Sequence, residues 1–421
     1  MDAILIVNSG SSTIKFALYS IGHTGVGGLT QKYKGIVDHI LAAPDFKAES
    51  PNKTEKVFEL IPVSGSQETY YQLAIEYILA WFLAKGFNIV AVGHRIVHSG
   101  PDYSAPIILN DEIITKLFSY VPIMPLHQPY NLNGVKILQM ALPNAIQVGC
   151  FDTGFHVTCN PISQLYVLPK KFRTAGIRRY GFHGLSYEYI ASKLPDCMSK
   201  KVAQGKFVVA HLGNGATMCA IENQKSVATS IGMTGIGGLP MGTRCDSIDP
   251  GTVLYMLDAY KLTTNQLLNI FYKESGLLGL SELSSDMRDL LASDKPEAKL
   301  AIQVFVHRIS IFAGLLTAEL QGIDGLIFTG GIGENASPIR QMVCERLKWL
   351  EINIDAEANE QKSAHVRKIS SKDSKTSVWV IPTNEEVVIA KHTYEKWQAR
   401  RESNPQPTVL ETAALPIELL A

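Results

Sequence analysis

The sequence predicts an α/β protein made of two similarly folded domains that face each other across a cleft. Its 421 residues exceed what one hydrophobic core usually serves. Two segments in different halves of the chain share one plan, in which a strand, a polar turn with glycine and a second strand follow each other. A repeated unit of this kind predicts duplicated domains, and a cleft between them can hold one ligand.

The first of these units opens the chain. Residues 3–7 are apolar and β-branched, residues 8–13 form a polar turn, and residues 15–19 begin a second apolar stretch. Lys15 follows the turn directly, where its ammonium group could meet a terminal phosphate. A solvated lysine of a strand is the alternative interpretation.

The same plan recurs at residues 207–221, with its turn at 213–217. A third apolar run, residues 325–329, enters the glycine-rich segment 330–335, and a helix is predicted to start near Ser337. Such turns leave backbone N–H groups unpaired and able to bind phosphate. Any one of them could also be a plain tight turn.

Longer-range patterns predict the rest of the organisation. Apolar side chains at steps of three and four predict one buried face of a long helix, formed by Ile302, Phe305, Ile309, Phe312, Leu316 and Leu320. Polar composition predicts surface loops at 43–56 and 360–376 and a linker at 399–408 that leads into a weakly specified tail.

Composition excludes several classes of function. Lys plus Arg and Asp plus Glu both number 39, so no long-range field favours nucleic acid or an anionic membrane. The six cysteines form no CxxC pair, which favours reduced thiols of a cytosolic protein over disulfides. We expect neither a signal peptide nor a membrane span, and a cytoplasmic location follows by elimination.

Side chains that could bind anions cluster in short segments. Arg95 lies among histidines and apolar residues at 93–98, a mixture that suits a small carboxylate beside a hydrophobic wall. A buried structural arginine paired with an acid is the alternative. Asp152 follows an apolar stretch, where either catalysis or helix capping would suit it. Glycine-rich segments add His183 and Arg244.

Together these residue types fit phosphoryl transfer. That reaction needs positive donors around the equatorial oxygens, a metal ion on the phosphates and in-line positioning. Lys15, Arg95, His183 and Arg244 supply the donors. A zinc site built from the histidines is disfavoured, because no HExxH spacing occurs.

At this point the motifs resemble those of a known family, the acetate kinases, over residues 1 to about 392. The shared motifs are NSGSSTIK from Asn8, GHRIVH from Gly93, PLHQPYN from Pro125, FDTGFH from Phe151, RRYGFHGLSYEY from Arg178, HLGNGAT from His211, GLPMGTR from Gly238, TGGIGEN from Thr329 and IPTNEE from Ile381. The resemblance implies reversible phosphoryl transfer from ATP to acetate, which gives acetyl phosphate and ADP. It also implies Mg²⁺ as cofactor, with Mn²⁺ as a substitute, and a homodimer.

The resemblance further implies two duplicated actin-like (ribonuclease H-like) domains. Residues 1–150 would form the N-terminal domain, closed by a C-terminal helix at about 384–400. Residues 151–383 would form the nucleotide-binding domain, and 401–421 the tail. Rival readings are a propionate or other short-chain acyl kinase and an actin-like regulatory ATPase, although the latter leaves Arg95, His183 and Arg244 unexplained.

Roles for individual residues are carried over by motif. Asp152, His183 and Arg244 would be catalytic. Acetate would be bound by Arg95, with pocket walls at Val97, Leu126, Phe182 and Gly235. Mg²⁺ would be held by Asn8 and Glu385. The nucleotide would contact Lys15, His211, Leu212, Gly213, Asn214, Gly215, Asp286, Met287, Arg288, Gly331, Ile332, Gly333, Glu334 and Asn335.

Two of these roles carry further expectations. The family role of Asp152 is proton transfer, but acetate is already an anion at neutral pH because carboxylic acids have pKa values near about 4. We therefore expect Asp152 to orient Arg95 or a metal-bound water. Gly235 falls where the family has a proline that lines the methyl pocket, which predicts a wider pocket and tolerance of propionate, unless Ile236 fills the space.

Overall fold

Two β-sheets organise the protein. The structure is a computed structural model and describes residues 1–403 except 11, 27, 41, 43, 53–54 and 62–66. The first sheet has eight strands and the second has six. Helices cover both faces of each sheet, so that most strands are buried on both sides.

The first sheet has the spatial order β5-β4-β3-β2-β1-β6-β8-β7. Its strands are β1 (Asp2–Ser9), β2 (Ile14–Val26), β3 (Leu29–Asp38), β4 (Asp45–Glu49), β5 (Lys56–Leu60), β6 (Asn88–Ile96), β7 (Ile107–Ile108) and β8 (Ile146–Phe151). Strands β1 and β2 pair antiparallel as predicted, with Asn8 opposite Lys15. Strands β1, β6 and β8 run parallel.

The second sheet has the order β11-β10-β9-β12-β14-β13. Its strands are β9 (Lys206–Leu212), β10 (Ala216–Glu222), β11 (Lys225–Thr229), β12 (Gly325–Thr329), β13 (Arg367–Lys368) and β14 (Ser377–Val380). Here β9 and β10 form the predicted antiparallel pair, while β9, β12 and β14 run parallel.

The two sheets therefore share one topology. An antiparallel meander, β3-β2-β1 or β11-β10-β9, is followed by two parallel strands, β6-β8 or β12-β14. The duplication predicted from the two strand–turn–strand units is confirmed by this repeated strand order. Because the carboxyl ends of parallel strands meet at one edge of a sheet, the loops that follow these strands lie together at that edge in each of the two sheets.

The helices connect and cover these strands. They are α1 (Gln67–Ala84), α2 (Asp111–Phe118), α3 (Gln128–Ala141), α4 (Lys170–Thr174), α5 (Gly184–Cys197), α6 (Pro250–Ala259), α7 (Thr264–Asn269), α8 (Gly276–Ser281), α9 (Met287–Leu291), α10 (Pro296–Leu320), α11 (Gly330–Asn335), α12 (Ser337–Arg346), α13 (Ala356–Glu360) and α14 (Glu385–Ser403). Helix α14 returns to the first sheet, where Val388 and Ile389 pack with Ile4 and Ile6.

Helix α10 is the predicted long helix. Its stripe is buried as expected, with Phe305, Ile309 and Leu316 fully buried in the core of the second sheet. By length and composition alone α10 could cross a membrane, yet half of its most apolar stretch is buried inside the protein. Its apolar face therefore packs in the core of the second sheet.

Two loop predictions were wrong. Within 43–56, strand β4 pairs with β3, and its Phe46 is fully buried because alternate residues face the core. Within 399–408, residues 399–403 continue α14. Residues 43, 53, 54 and 404–408 lie outside the described residues. The segment 360–376 is mostly irregular, as predicted, but contains β13 and the buried Ile369.

An ion pair joins α14 to α5. His392 Nε2 lies 2.6 Å from Glu188 Oε1, and Glu395 lies 3.7 Å from the other ring nitrogen. Burial alone would lower the pKa of His392, but the hydrogen bond and the charge of Glu188 outweigh burial and raise it. The pair therefore contributes stability that is fully present below the unfolded pKa of histidine and is lost as the pH rises through the folded value.

We expect Glu188→Gln to lower the free energy of unfolding by roughly 0.5–1 kcal/mol at pH 6 and by almost nothing at pH 9. Denaturant unfolding of parent and variant at the two pH values measures this difference. Glu395→Gln, which removes the longer and more exposed contact, is the matched control and should have the smaller effect. An equal loss at both pH values would show that the charge of His392 is not involved.

Candidate active site

Side chains from both sheets meet beyond the carboxyl ends of the parallel strands. Arg95 lies near the end of β6, Asp152 directly after β8, and His211 near the end of β9. The charges of Arg95 and Arg244 are close enough to interact, as are those of Arg95 and His211. Residues predicted separately from distant motifs thus lie in one site.

Arg95 and Asp152 form a buried, bidentate ion pair. The Nε of Arg95 donates to Asp152 Oδ1 at 2.8 Å, and Nη2 donates to Oδ2 at 2.6 Å. Asp152 is almost completely buried. Burial would lower the pKa of Arg95, but the charges of Asp152 and Glu385 outweigh burial and raise it. Among the described residues Nη1 has no hydrogen-bond partner, so it remains for a ligand.

Glu385, the first residue of α14, lies beside this pair. Its Oε2 is 3.7 Å from Nε of Arg95. Burial raises the pKa of Glu385 to about 7, with the negative charge of Asp152 acting in the same direction and Arg95 opposing both. Two carboxylates thus share one guanidinium, and a further cation beside them would be favourable.

Two stacked histidines form the floor of the site. The rings of His183 and His211 are 4.3 Å apart and inclined by 20°. His183 Nδ1 is hydrogen-bonded to Thr217 Oγ1 at 2.9 Å, and His211 Nδ1 to Ser186 Oγ at 2.9 Å. Burial lowers the pKa of His183 well below its usual range and that of His211 to about 3, so both rings are neutral near pH 7.

The backbone of His183 holds its ring in place. His183 is the N-cap of α5 and has a left-handed conformation with φ of 56°. Non-glycine residues rarely adopt this conformation, and those that do are concentrated at functional sites. The Nε2 of His183 faces the turn after β9, since a Cβ added at Gly215 would lie 3.2 Å from it.

Arg244 links the two halves of the site. Its Nη1 donates to the carbonyl oxygen of Gly235 at 3.0 Å, and its Nη2 donates to His127 Nε2 at 3.1 Å. Burial lowers the pKa of Arg244, and that of His127 falls to about 3 because of burial and the nearby arginines. Neutral His127 then carries its proton on Nδ1, which has no partner among the described residues.

The predicted phosphate-binding turns lie side by side. Strands β9 and β12 pair in parallel with His211 opposite Thr329, which brings the turn 213–215 next to the start of α11. The two segments approach closely, since a Cβ added at Gly330 would lie only 2.8 Å from the carbonyl oxygen of Leu212. The N–H of Gly242 donates to the oxygen of Asn214 at 3.0 Å, which ties the loop before Arg244 to the same turn.

Other residues predicted to bind the nucleotide differ in their surroundings. Asp286 caps α9, since its Oδ1 accepts from the backbone N–H of Arg288 at 2.8 Å. The side chain of Arg288, which is largely exposed, also forms an ion pair with Asp286. The contacts with Arg288 lower the pKa of Asp286 to about 2. Met287 is buried in the core. Glu334 accepts from the backbone N–H groups of Gly330 and Thr383, so its carboxylate connects the start of α11 to the segment before α14.

The remaining nucleotide candidates belong to the same loops. Lys15 is exposed on β2 and close enough to Glu385 for their charges to interact. Asn335 donates to the oxygen of Gly331 at 2.8 Å within α11. Ile332 is half-buried against the core of the second sheet, and Gly333 faces it.

The predicted acyl pocket is apolar, but it does not contain free space beside Gly235. Val97 and Phe182 belong to one buried cluster with Met124, and Leu126 is half-buried two residues further on. A Cβ added at Gly235 would meet Met124 Cε at 2.9 Å and Sδ at 3.2 Å. Met124 thus occupies the space that a Cβ at residue 235 would take, while the tolerance of propionate and the role of Ile236 stay predictions.

Sequence reasoning did not single out His127 or Met124. Both lie in the proline-bounded segment that precedes α3, and each contacts residues more than 100 positions away. The sequence signal for His127 was its place in the shared motif PLHQPYN, which Met124 directly precedes.

Comparison with known proteins agrees with this geometry. A sequence model of the acetokinase family matches residues 3–391. The chain therefore belongs to the acetokinase family. It is similar to the acetate kinase of Rhodopseudomonas palustris strain TIE-1, with 43% identity over 393 residues that cover 93% of this chain and 98% of the relative. It is also similar to the acetate kinase of Rickettsia akari, with 42% identity over 397 residues that cover 92% of this chain and 98% of that relative.

Solved structures show the same fold. A propionate kinase from Francisella tularensis superimposes with a TM-score of 0.85 at 33% identity, over 94% of this chain and all of that one. An acetate kinase from Porphyromonas gingivalis gives 0.81 at 34% identity, over 94% and 99%. With the repeated strand order, this likeness assigns the chain to the duplicated actin-like, or ribonuclease H-like, fold.

Proposed function

We propose that the chain is an acetate kinase, which transfers the γ-phosphoryl group of ATP directly to acetate and gives acetyl phosphate and ADP reversibly. The observation that carries this proposal is the convergence of Arg95, Arg244 and His183 beside two glycine-rich turns. A nucleotide site alone needs only the turns. The additional cations and donors fit a small anionic acceptor that reacts with the phosphate chain.

Acetate binding is proposed for Arg95. Asp152 occupies one edge of the guanidinium and fixes its plane, while Nη1 remains for the acetate carboxylate. Acetate is ionised near neutral pH, so no base has to activate it. Asp152 therefore acts as a positioning residue, and the family role of proton transfer is not required of it.

Arg244 and His183 are proposed to stabilise the phosphoryl group in the transition state of its transfer. Its charge is spread over three equatorial oxygens, and preorganised donors in a buried site lower the barrier most effectively. Arg244 supplies a charged donor. His183 is neutral at pH 7, and it supplies an N–H from Nε2 in the tautomer whose Nδ1 accepts from the hydroxyl of Thr217. His127 helps to position Arg244, since its Nε2 accepts from the guanidinium.

The residues present fit Mg²⁺. Hard cations prefer oxygen ligands, and Mg²⁺ usually retains several waters and uses one or two carboxylates together with substrate phosphates. Glu385 is a half-buried carboxylate whose charged form lacks a full counter-charge, and Asn8 lies on β1 opposite Lys15 of β2. We propose that these two residues hold Mg²⁺ or Mn²⁺, which when bound neutralises phosphate charge.

We expect Glu385→Gln to raise the Mg²⁺ concentration for half-maximal activity by roughly 10-fold or more, with partial recovery at high Mg²⁺. Loss of one charged oxygen ligand weakens the metal site without removing it. Mg²⁺ titration of activity at saturating ATP measures the midpoint. Glu402→Gln, at the exposed far end of α14, is the control. An unchanged midpoint for Glu385→Gln would remove this residue from the metal shell.

The proposed function is tested by incubating the protein with ATP, Mg²⁺ and acetate and trapping acyl phosphate as its hydroxamate. Hydroxamate that requires both ATP and acetate is expected. ATP hydrolysis without hydroxamate would favour an actin-like regulatory ATPase instead. Parallel reactions with propionate and butyrate show whether acetate is the preferred acid.

We propose the remaining organisation on the same basis. Residues 1–150 with α14 form one domain and residues 151–383 the other, since α14 packs on β1, β6 and β8 of the first sheet. A cytoplasmic homodimer with ATP, ADP, acetate and acetyl phosphate as its ligands is proposed from family membership. The equal numbers of cationic and anionic residues offer no support for binding nucleic acid.

A further inference from the structure

We infer that Met124 is the residue that sets the acyl-chain length accepted by this enzyme, and that Gly235 is small because Met124 occupies the space beside it. The inference deepens the proposed function and rests on it. Met124 precedes His127 by three residues; its thioether end lies beside Gly235, while His127 contacts Arg244.

The first step of the argument is that the backbone at Gly235 does not require glycine. Its neighbours Gly237 and Gly238 have φ of 94° and 78°, which L side chains rarely adopt, but Gly235 is not in this region. The size of residue 235 therefore depends on its neighbours, and the nearest of these is the flexible end of Met124. An added Cβ would lie 2.9 Å from Met124 Cε and 3.4 Å from Arg244 Nη1, the two groups that crowd this point.

The second step is that the position of Met124 is fixed. It is 2% exposed and ends a short 3₁₀ turn. Its N–H donates to the oxygen of Val121 at 3.0 Å, and its own oxygen accepts from the N–H groups of His127 and Gln128. The backbone therefore directs this side chain toward Gly235, while the thioether end adjusts to the shape it meets.

The third step concerns the pocket itself. Met124 belongs to the same large buried core as Val97 and Phe182, the residues proposed to surround the acetate methyl group, and it contacts the position of Gly235, the fourth proposed wall residue. Arg244 donates to the carbonyl oxygen of Gly235, so Gly235 lies between the thioether end of Met124 and a proposed catalytic donor. An acid longer by one methylene competes with this methyl group for the same volume.

The result expected for the parent is therefore preference for acetate. Discrimination of one methylene in an apolar pocket amounts to roughly 10-fold or more in kcat/KM. Met124→Ala removes three heavy atoms from the wall and should raise the ratio of kcat/KM for propionate to that for acetate by about 10-fold. Met140→Ala, at a position 74% exposed, is the matched control and should leave the ratio unchanged.

A double variant tests the coupling between the two positions. Gly235→Pro alone should impair acetate turnover, because the ring and Met124 cannot both occupy the site without a shift. Met124→Ala with Gly235→Pro should bring the ratio back to within about threefold of the parent, since the ring replaces the lost thioether. Circular dichroism and thermal unfolding establish that each variant is folded.

If Met124→Ala does not fold, Met124→Leu decides the question, because it conserves most of the volume but lacks Cε. It should raise the ratio by a few-fold. An unchanged ratio in a folded Met124 variant that still converts acetate overturns this inference and leaves the proposed function standing. Failure of the parent to form acyl phosphate from any acid would overturn the proposed function instead.

Discussion

Replacement of Arg244 by alanine is expected to lower kcat for acetyl phosphate formation by roughly 10²–10³, the loss typical of a preorganised donor to a developing charge. Arg244 is half-buried, and the protein positions it through the oxygen of Gly235 and through Nε2 of His127. These contacts arrange the guanidinium before substrate arrives, so little reorganisation is needed during the reaction.

Steady-state kinetics in both directions measure this effect. The KM for acetate should change much less than kcat, since Arg244 is proposed to act mainly in the transition state. Arg244→Lys keeps the charge but cannot contact Gly235 and His127 through one planar group, so it should recover only part of the rate. Near-normal kcat in a folded Arg244→Ala protein would show that the assigned mechanism is wrong.

Replacement of Arg95 by alanine is expected to raise the KM for acetate by roughly 10- to 100-fold, the range for loss of a hydrogen bond to a charged group. The structure adds a second consequence. Removing the guanidinium leaves Asp152 and Glu385 close together without their shared cation, which raises the pKa of Glu385 further.

A matched series separates these two effects. Asp152→Asn keeps Arg95 but loosens its orientation, so it should raise the KM for acetate less than Arg95→Ala does. The KM for ATP should stay within about threefold of the parent in both variants. If Arg95→Ala changed the KM for ATP and not that for acetate, Arg95 would belong to the nucleotide site.

Local patterns allowed the central fold to be predicted. The register that places Asn8 opposite Lys15 follows from a short polar turn between two apolar runs, and the buried stripe of α10 follows from helical spacing. Strand β4 was missed because its outward residues are charged, and only alternate residues such as Phe46 face the core. The sequence signal of β4 resembles a polar loop until its pairing with β3 is known.

The site was predicted as a set of residues, but its geometry was not. Arg95, Asp152 and Glu385 were each singled out by motif, whereas the bidentate pair and the shared guanidinium depend on the parallel pairing of β6 with β8 and on the return of α14. The contact of Met124 with Gly235 joins two segments through tertiary packing alone. No local spacing encodes such a contact.

The return of α14 to the first sheet has a consequence for the order of synthesis. The strands that pack against α14 include β1, which precedes the second sheet in the chain, while α14 is synthesised only after the whole second sheet. Until then, the face of the first sheet that carries Ile4 and Ile6 lacks its covering helix. The first sheet of this chain can therefore complete its packing only after the second sheet has been synthesised.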